Sequence, residues 1–188
     1  MKKGFFLLAT AFLVSLVYGE ETETALIYGK RHFFSVGTPE GWIVDTSGAS
    51  EGIPHFAYPV IYTNIRSLMP VYIYARGGDN PTGKTNNLEE FIDGDTNFFL
   101  KTYPGVIIQP RKIEFKNIRK TEYLTGRYEV LDFLYPQGEH ETVVYIDAGE
   151  TVVTIVYMAR KKELYEKYYN DFLFVVNSFV FLGRQKPF

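Results

Sequence analysis

Apolar and polar residues alternate with a period of two over several stretches of this chain and follow a helical period over two others. His32 to Val36 predicts a strand, Thr38-Pro39-Glu40-Gly41 a turn, and Trp42 to Asp45 a second extended segment. Thr46 to Pro59 mixes Ser, Gly and Pro with aromatics and predicts a long loop. Val60 to Arg66 and Val71 to Arg76 alternate as strands, broken at Met69-Pro70, and residues 77–87 form a polar loop. Asn87, with Glu90 three positions on, has the capping-box pattern of a helix start. Leu88, Phe91, Ile92, Phe98 and Phe99 then share one helical face, and Tyr103-Pro104-Gly105 ends the helix. Val106 to Ile108 and Lys112 to Ile118 read as extended, and Thr121 to Tyr135 as one long strand. Thr142 to Ile146 and Thr151 to Met158 predict a hairpin around Asp147-Ala148-Gly149. Thr151 to Tyr157 is apolar on both faces, which places it centrally in a sheet covered on both sides. Lys161 to Ser178 predicts a last helix with Leu164, Tyr168, Phe172, Val175, Val176 and Phe179 toward the core. Strands, helix, strands, helix is not the alternation of a parallel sheet. It predicts an α+β fold, a mainly antiparallel sheet with helices packed on it.

The N-terminus changes the picture of where the chain goes. Lys2 and Lys3 precede an apolar run of 14 residues, Phe5 to Tyr18, with Val17-Tyr18-Gly19 before Glu20. This is the pattern of a signal peptide over residues 1–19, because a spanning helix needs about 20 apolar residues. Retention as a membrane anchor is the competing reading. With cleavage, residues 20–188 form a single α/β domain, periplasmic or secreted and not membrane-spanning, and Glu20 to Thr24 is a short polar leader.

The chain has no cysteine, which removes disulfides, thiolate nucleophiles and thiolate metal sites. Its formal net charge of −2 becomes −4 when Lys2 and Lys3 leave with the leader, so nothing asks for a nucleic-acid partner. The 15 Tyr and 16 Phe suit half-buried strand faces with one wet edge.

Several landmarks lie along the chain: Phe34-Ser35-Val36 with Pro39-Glu40-Gly41-Trp42, Leu88-Glu89-Glu90-Phe91, and Tyr145-Ile146-Asp147 with Val152-Val153-Thr154-Ile155. The closing segment Phe172 with Val175-Val176-Asn177-Ser178-Phe179 completes the set, which spans most of residues 33–182. Together they resemble the PsbP-like α/β/α sandwich, shared by the PsbP subunit of photosystem II and a Ran-binding nuclear-transport factor. The resemblance implies a binding or assembly-accessory role rather than catalysis, and names no partner.

Gly78-Asp79-Asn80-Pro81-Thr82-Gly83-Lys84-Thr85 satisfies the P-loop string, whose backbone amides cradle phosphates while the Lys and Thr serve phosphate and Mg2+. Against it stand the helix start at Asn87 rather than at Gly83-Lys84, the absence of alternating βα order, the turn setting of Asp147, and export away from nucleotides. Asp95 falls inside the apolar stripe of the first helix, where a carboxylate must be paired or neutral. It is either a ligand or proton-handling group, or an acid held by a nearby Arg or Tyr. His32, His55 and His140 are too dispersed to predict a metal centre, and Glu139 and Glu141 flanking His140 read as a solvated turn. No nucleophile elbow or Ser/His/Asp set is present.

Arg111, Lys112, Lys116, Arg119, Lys120 and Arg127 form a basic stretch interrupted by Glu114 and Glu122, with Lys112, Glu114 and Lys116 on one outer face. It is either a docking surface for an acidic protein or anionic membrane, or a strand edge charged against aggregation. The sequence therefore points to an exported, non-enzymatic binding domain with an envelope protein partner. Its expected contact residues are Arg111, Lys112, Lys116, Arg119, Lys120 and Trp42 of an exposed aromatic loop. No cofactor, metal or catalytic residue is expected. The alternative is a carrier of a small apolar ligand between helix and sheet, near Asp95.

Overall fold

The computed structural model describes residues 23–45, 55–63, 69–79 and 88–184. Its centre is the hairpin of β8 (His140–Asp147) and β9 (Thr151–Ala159). Asp147 folds back to accept the Gly149 amide at 2.9 Å, and Gly149 takes φ 75°, which closes the turn. Every β9 side chain is buried. Val153, Ile155, Tyr157 and Ala159 face one core, and Val152, Val156 and Met158 face another. A strand covered on both faces needs two further layers, and the rest of the chain supplies them.

Outward from the hairpin lie β5 (Val71–Asp79), β4 (His55–Pro59) and β3 (Trp42–Val44) on one side, and β7 (Tyr128–Leu134) and β6 (Ile107–Pro110) on the other. All neighbours in this sheet, β3-β4-β5-β9-β8-β7-β6, pair antiparallel. One face is covered by α1 (Leu88–Thr102). The other is covered by α2 (Lys162–Asn177) together with a second sheet, β1 (Thr24–Tyr28), β2 (Phe33–Gly37) and β10 (Val180–Gly183). The result is the expected α+β class, a sandwich with the large sheet in the middle.

The two covers are held differently. Helix α2 buries Tyr165, Tyr168, Phe172, Val175 and Val176, each contributing about 1.5–3 kcal/mol by leaving water. Helix α1 fully buries Leu88, while Phe91, Ile92 and Phe99 are half-buried. Phe98, expected on the buried face, is 59% exposed, because it falls one position outside the stripe that Phe99 occupies against Phe133. The small sheet is tied to the large one by His32, which donates from Nδ1 to Asp79 Oδ1 at 2.7 Å. Asp79 also accepts from Thr151 Oγ1 (2.5 Å) and the Arg31 amide (3.0 Å). The buried His32 ring fits between Gly29 and Gly77, where added Cβ atoms would lie 1.9 and 2.4 Å from it.

Several local expectations are corrected. The loop expected over residues 46–59 ends in β4, and Val60 to Thr63 form a 3₁₀ turn after Pro59 rather than a strand. Thr121 to Tyr135 is strand from Tyr128 onward; before it, Gly126 at φ 83° turns the chain against Lys120. Lys112 to Ile118 joins no ladder. The Tyr128 hydroxyl donates to Ile113 O at 3.0 Å and accepts the Phe115 amide at 3.1 Å in place of strand pairing. Ile113, Phe115 and Ile118 still point inward there, so the alternation reports burial and not pairing. Strands β1 and β10, and with them the second sheet, were not anticipated. Residues 1–22, residues 46–54 and Asn87 lie outside the described residues, as do residues 80–85 of the P-loop string; Thr24, expected in a short polar leader, begins β1.

His32 cannot swing aside without breaking its bond to Asp79. Gly77→Ala should therefore lower unfolding free energy by about 1–3 kcal/mol in a urea titration. Gly94, exposed in α1 with nothing near its Cβ position, should gain about 0.5–1 kcal/mol as Ala in the same assay.

Candidate functional site

Strand alternation places Val130, Asp132 and Leu134 of β7 on the α2 side, and pairs Asp132 with Thr142 and Leu134 with His140 across β8. A carboxylate in this row needs partners, and the fold brings three groups to it, with Tyr165 behind one of them. Thr142 Oγ1 donates to Asp132 Oδ1 at 2.6 Å. Having spent its proton there, it accepts from the Tyr165 hydroxyl, also at 2.6 Å. Arg111, just past Pro110 of β6, donates from Nε to Asp132 Oδ2 at 2.7 Å. His140 Nε2 stands 3.4 Å from Asp132 Oδ1 but is buried without a well-directed hydrogen bond. Burial of Asp132 disfavours its charge, yet His140, Thr142 and Arg111 outweigh that and hold its pKa below the usual carboxylate range. Burial likewise works against the Arg111 charge, and the Asp132 carboxylate with the neighbouring tyrosines overcomes it.

The same residues wall a cleft of about 560 Å3 between the start of α2 and the sheet edge. His140 stacks on Tyr165 with ring centroids 3.6 Å apart and planes 9° from parallel. The Arg111 guanidinium lies 5.7 Å from the Tyr165 ring centre and 5.1 Å from that of Tyr169. Leu134 and the Lys162–Glu166 pair complete the lining. On the far side of Arg111 a second groove of about 560 Å3 runs between Arg111–Glu114 and Tyr128–Val130. Arg111 is thus the partition between two concavities, held rigid from below by Asp132. The cleft offers ring faces, a cation and a carboxylate at its mouth. The Thr142 hydroxyl behind it is buried and engaged on both sides, so it is not presented to the cleft.

The expected contact residues divide. Lys112, Lys116, Arg119 and Lys120 are exposed, and Arg111 and Lys112 line the two grooves. Arg127 is engaged by Glu89 and lies 3.8 Å from Asp147. Trp42 is not on an exposed loop: it is buried, packs edge-on to Tyr168, and donates its indole N–H to Asp171 at 2.9 Å. Asp95 is half-buried and accepts a 2.6 Å hydrogen bond from the Tyr145 hydroxyl, the held-acid arrangement. Asp79 of the P-loop string ends β5 with its carboxylate committed to His32, Thr151 and Arg31. Among the described residues no group of three or more His, Asp or Glu is placed to hold a metal ion. The Asp132–Thr142–Tyr165 network escaped the sequence reading. Its signal was an acid inside the Val130–Leu134 alternation, recognisable once the strand is paired with β8.

Glu141 is a further correction. His140 and Glu141 belong to β8, not to a solvated turn, and Glu141 points to the α1 side between Phe133 and Met158. It is buried with one hydrogen bond, from the Tyr135 hydroxyl at 3.1 Å. Burial pushes its pKa up to about 7. A carboxyl raised above its unfolded value holds a proton in the folded state that the unfolded chain has lost, so stability falls as pH rises from about 4.5 to about 7. That span corresponds to about 3 kcal/mol. Glu141→Gln should flatten this pH window and be the more stable form at pH 8, read as the difference between the two proteins' urea midpoints across pH.

No family model matches the chain, and no curated protein matches it. Among solved structures it matches the solution structure of cyanobacterial PsbP (CyanoP) from Synechocystis sp. PCC 6803 at 15% sequence identity. The match covers 79% of this chain and 86% of that chain with a TM-score of 0.51. At that identity the likeness concerns the fold, and the fold of this chain is PsbP-like.

Proposed function

We propose that this is an exported, non-enzymatic binding domain that recognises an envelope protein partner through the paired grooves on either side of Arg111. The observation that carries the reading is the partition itself: a guanidinium fixed by a buried carboxylate, with an aromatic-lined cleft on one side and a groove of mixed charge, edged by Lys112, Glu114 and Glu129, on the other. Such sites give a partner ring faces to pack on and charges to orient by, with little ordering cost in the domain. The groups at the site that resemble catalytic machinery are spent on each other, which favours recognition over chemistry. The charged and tyrosine-rich lining does not suit a purely apolar ligand. Export rests on the Met1–Gly19 pattern. Among the described residues no helix is long and apolar enough to cross a membrane.

The test uses tagged residues 20–188 as bait for the envelope fraction of its own cells, followed by titration of any captured protein. Lys112→Glu/Lys162→Glu reverses one exposed charge on each groove. The partner should bind the parent and bind this variant roughly tenfold more weakly. Equal affinity would remove the grooves as the contact site, and no capture by a folded bait would remove the protein-partner reading.

A further inference from the structure

The outer face of the small sheet is apolar and uncovered. Leu26 and Tyr28 of β1 are 47% and 55% exposed, and Val180 and Leu182 of β10 are 51% and 42% exposed. Strand register aligns Leu26 and Val180 on either side of Ser35, and sets Tyr28 beside Phe33, whose ring stacks on it at 4.9 Å. The alternate residues Ile27, Phe34 and Phe181 go to the core, so the exposed set is a true outward face and not a frayed interior.

Exposed cations, followed by the exposed acid Glu122, lie beside this face. Asn117 donates from Nδ2 to Val176 O and Phe179 O, which fixes the 115–120 segment beside the start of β10. Tyr123, three residues beyond that segment, packs on Phe181. Lys116, Arg119 and Lys120 are exposed there, and Lys30 is exposed on the turn from β1 to β2. An apolar centre with a basic border differs from the Arg111 grooves in chemistry and in place. The grooves sit at the first turns of α2, whereas this rim adjoins its last turn, at Val176.

We propose that this face docks on an anionic lipid bilayer, with Leu26, Tyr28, Val180 and Leu182 entering the headgroup boundary and Lys116, Arg119 and Lys120 meeting lipid phosphates. A contiguous exposed apolar patch demands a cover, and a bilayer presents an apolar layer beneath negative charge, the complement of this arrangement. Stacked aromatic rings such as Tyr28 and Phe33 suit the water–lipid boundary.

Vesicle co-sedimentation of residues 20–188, which contain every described element but not the apolar run, tests the proposal. Vesicles of phosphatidylcholine mixed with phosphatidylglycerol should carry the protein down and phosphatidylcholine alone should not, with binding weakened by salt. Leu26→Gln/Leu182→Gln and, separately, Lys116→Glu/Lys120→Glu should each weaken binding at least about tenfold. These side chains are exposed, and unchanged urea midpoints would verify that the variants fold. The groove variant Lys112→Glu/Lys162→Glu should keep at least part of the vesicle binding that Leu26→Gln/Leu182→Gln loses. Protein left in the supernatant with mixed vesicles overturns the proposal, as does binding by the rim or the face variant equal to that of the parent. A dimer in sedimentation velocity that Leu26→Gln/Leu182→Gln abolishes, with no vesicle binding, would assign the face to a second copy instead.

Discussion

The double-sided burial of the β8–β9 hairpin is the constraint from which the architecture follows. A strand with no wet face cannot lie at the surface of any layer, so the sheet must be the middle of three. Chain connectivity then decides which cover goes where. Helix α2 follows β9 and returns across the sheet, and β10 beyond it adds to β2, closing one side with a helix and a second sheet together. Helix α1, inserted between β5 and β6, closes the other side. The link from His32 to Asp79 matters in this light because it is where the small sheet is pinned to the end of β5.

The two faces handle buried polar groups differently. On the α2 side, Asp132 is charged and met by Arg111, Thr142 and, at 3.4 Å, His140, so its charge is compensated and its geometry fixed. On the α1 side, Glu141 has one hydroxyl for a partner, and burial favours its neutral form. The first arrangement costs stability if a member is removed and in return orients a surface cation. The second costs stability whenever the carboxyl ionises, and it lies beneath the helix that is less firmly packed. A cation held in fixed geometry is therefore the property of the α2 side, and sensitivity to pH that of the α1 side.

Much of this was legible in the sequence, for identifiable reasons. The central hairpin, β5, α1 and α2 are long, strongly periodic segments, and their apolar patterns alone placed them. The fold class followed from their order. What failed was pairing at short range. Strands β1 and β10 are four or five residues with mixed exposure, too short for a pattern to stand out. Lys112 to Ile118 showed strand alternation because one face is buried, while its hydrogen bonds go to the Tyr128 hydroxyl rather than to a neighbouring strand. Trp42 looked like an exposed aromatic because the flanking Gly, Ser and Pro suggested a loop, yet Asp171, 129 positions away, takes its indole N–H. The Asp132 site is invisible for the same reason: Arg111, Asp132, Thr142 and Tyr165 come from four separate segments and meet through strand register.

The basic stretch illustrates how a sequence-level feature divides once folded. Read linearly, Arg111 to Arg127 is one patch. In the fold, Arg111 is neutralised by Asp132 and becomes part of a cleft wall, and Arg127 is taken by Glu89. Lys112 stays exposed at the second groove, and Lys116, Arg119 and Lys120 stay exposed beside Asn117, which ties their segment to the end of α2. The cations near the small sheet therefore lie at its border and not in its apolar middle. A chain with formal net charge −2 would be repelled as a whole by an anionic surface, so any attraction must come from such a local grouping and must orient the domain with the small sheet foremost.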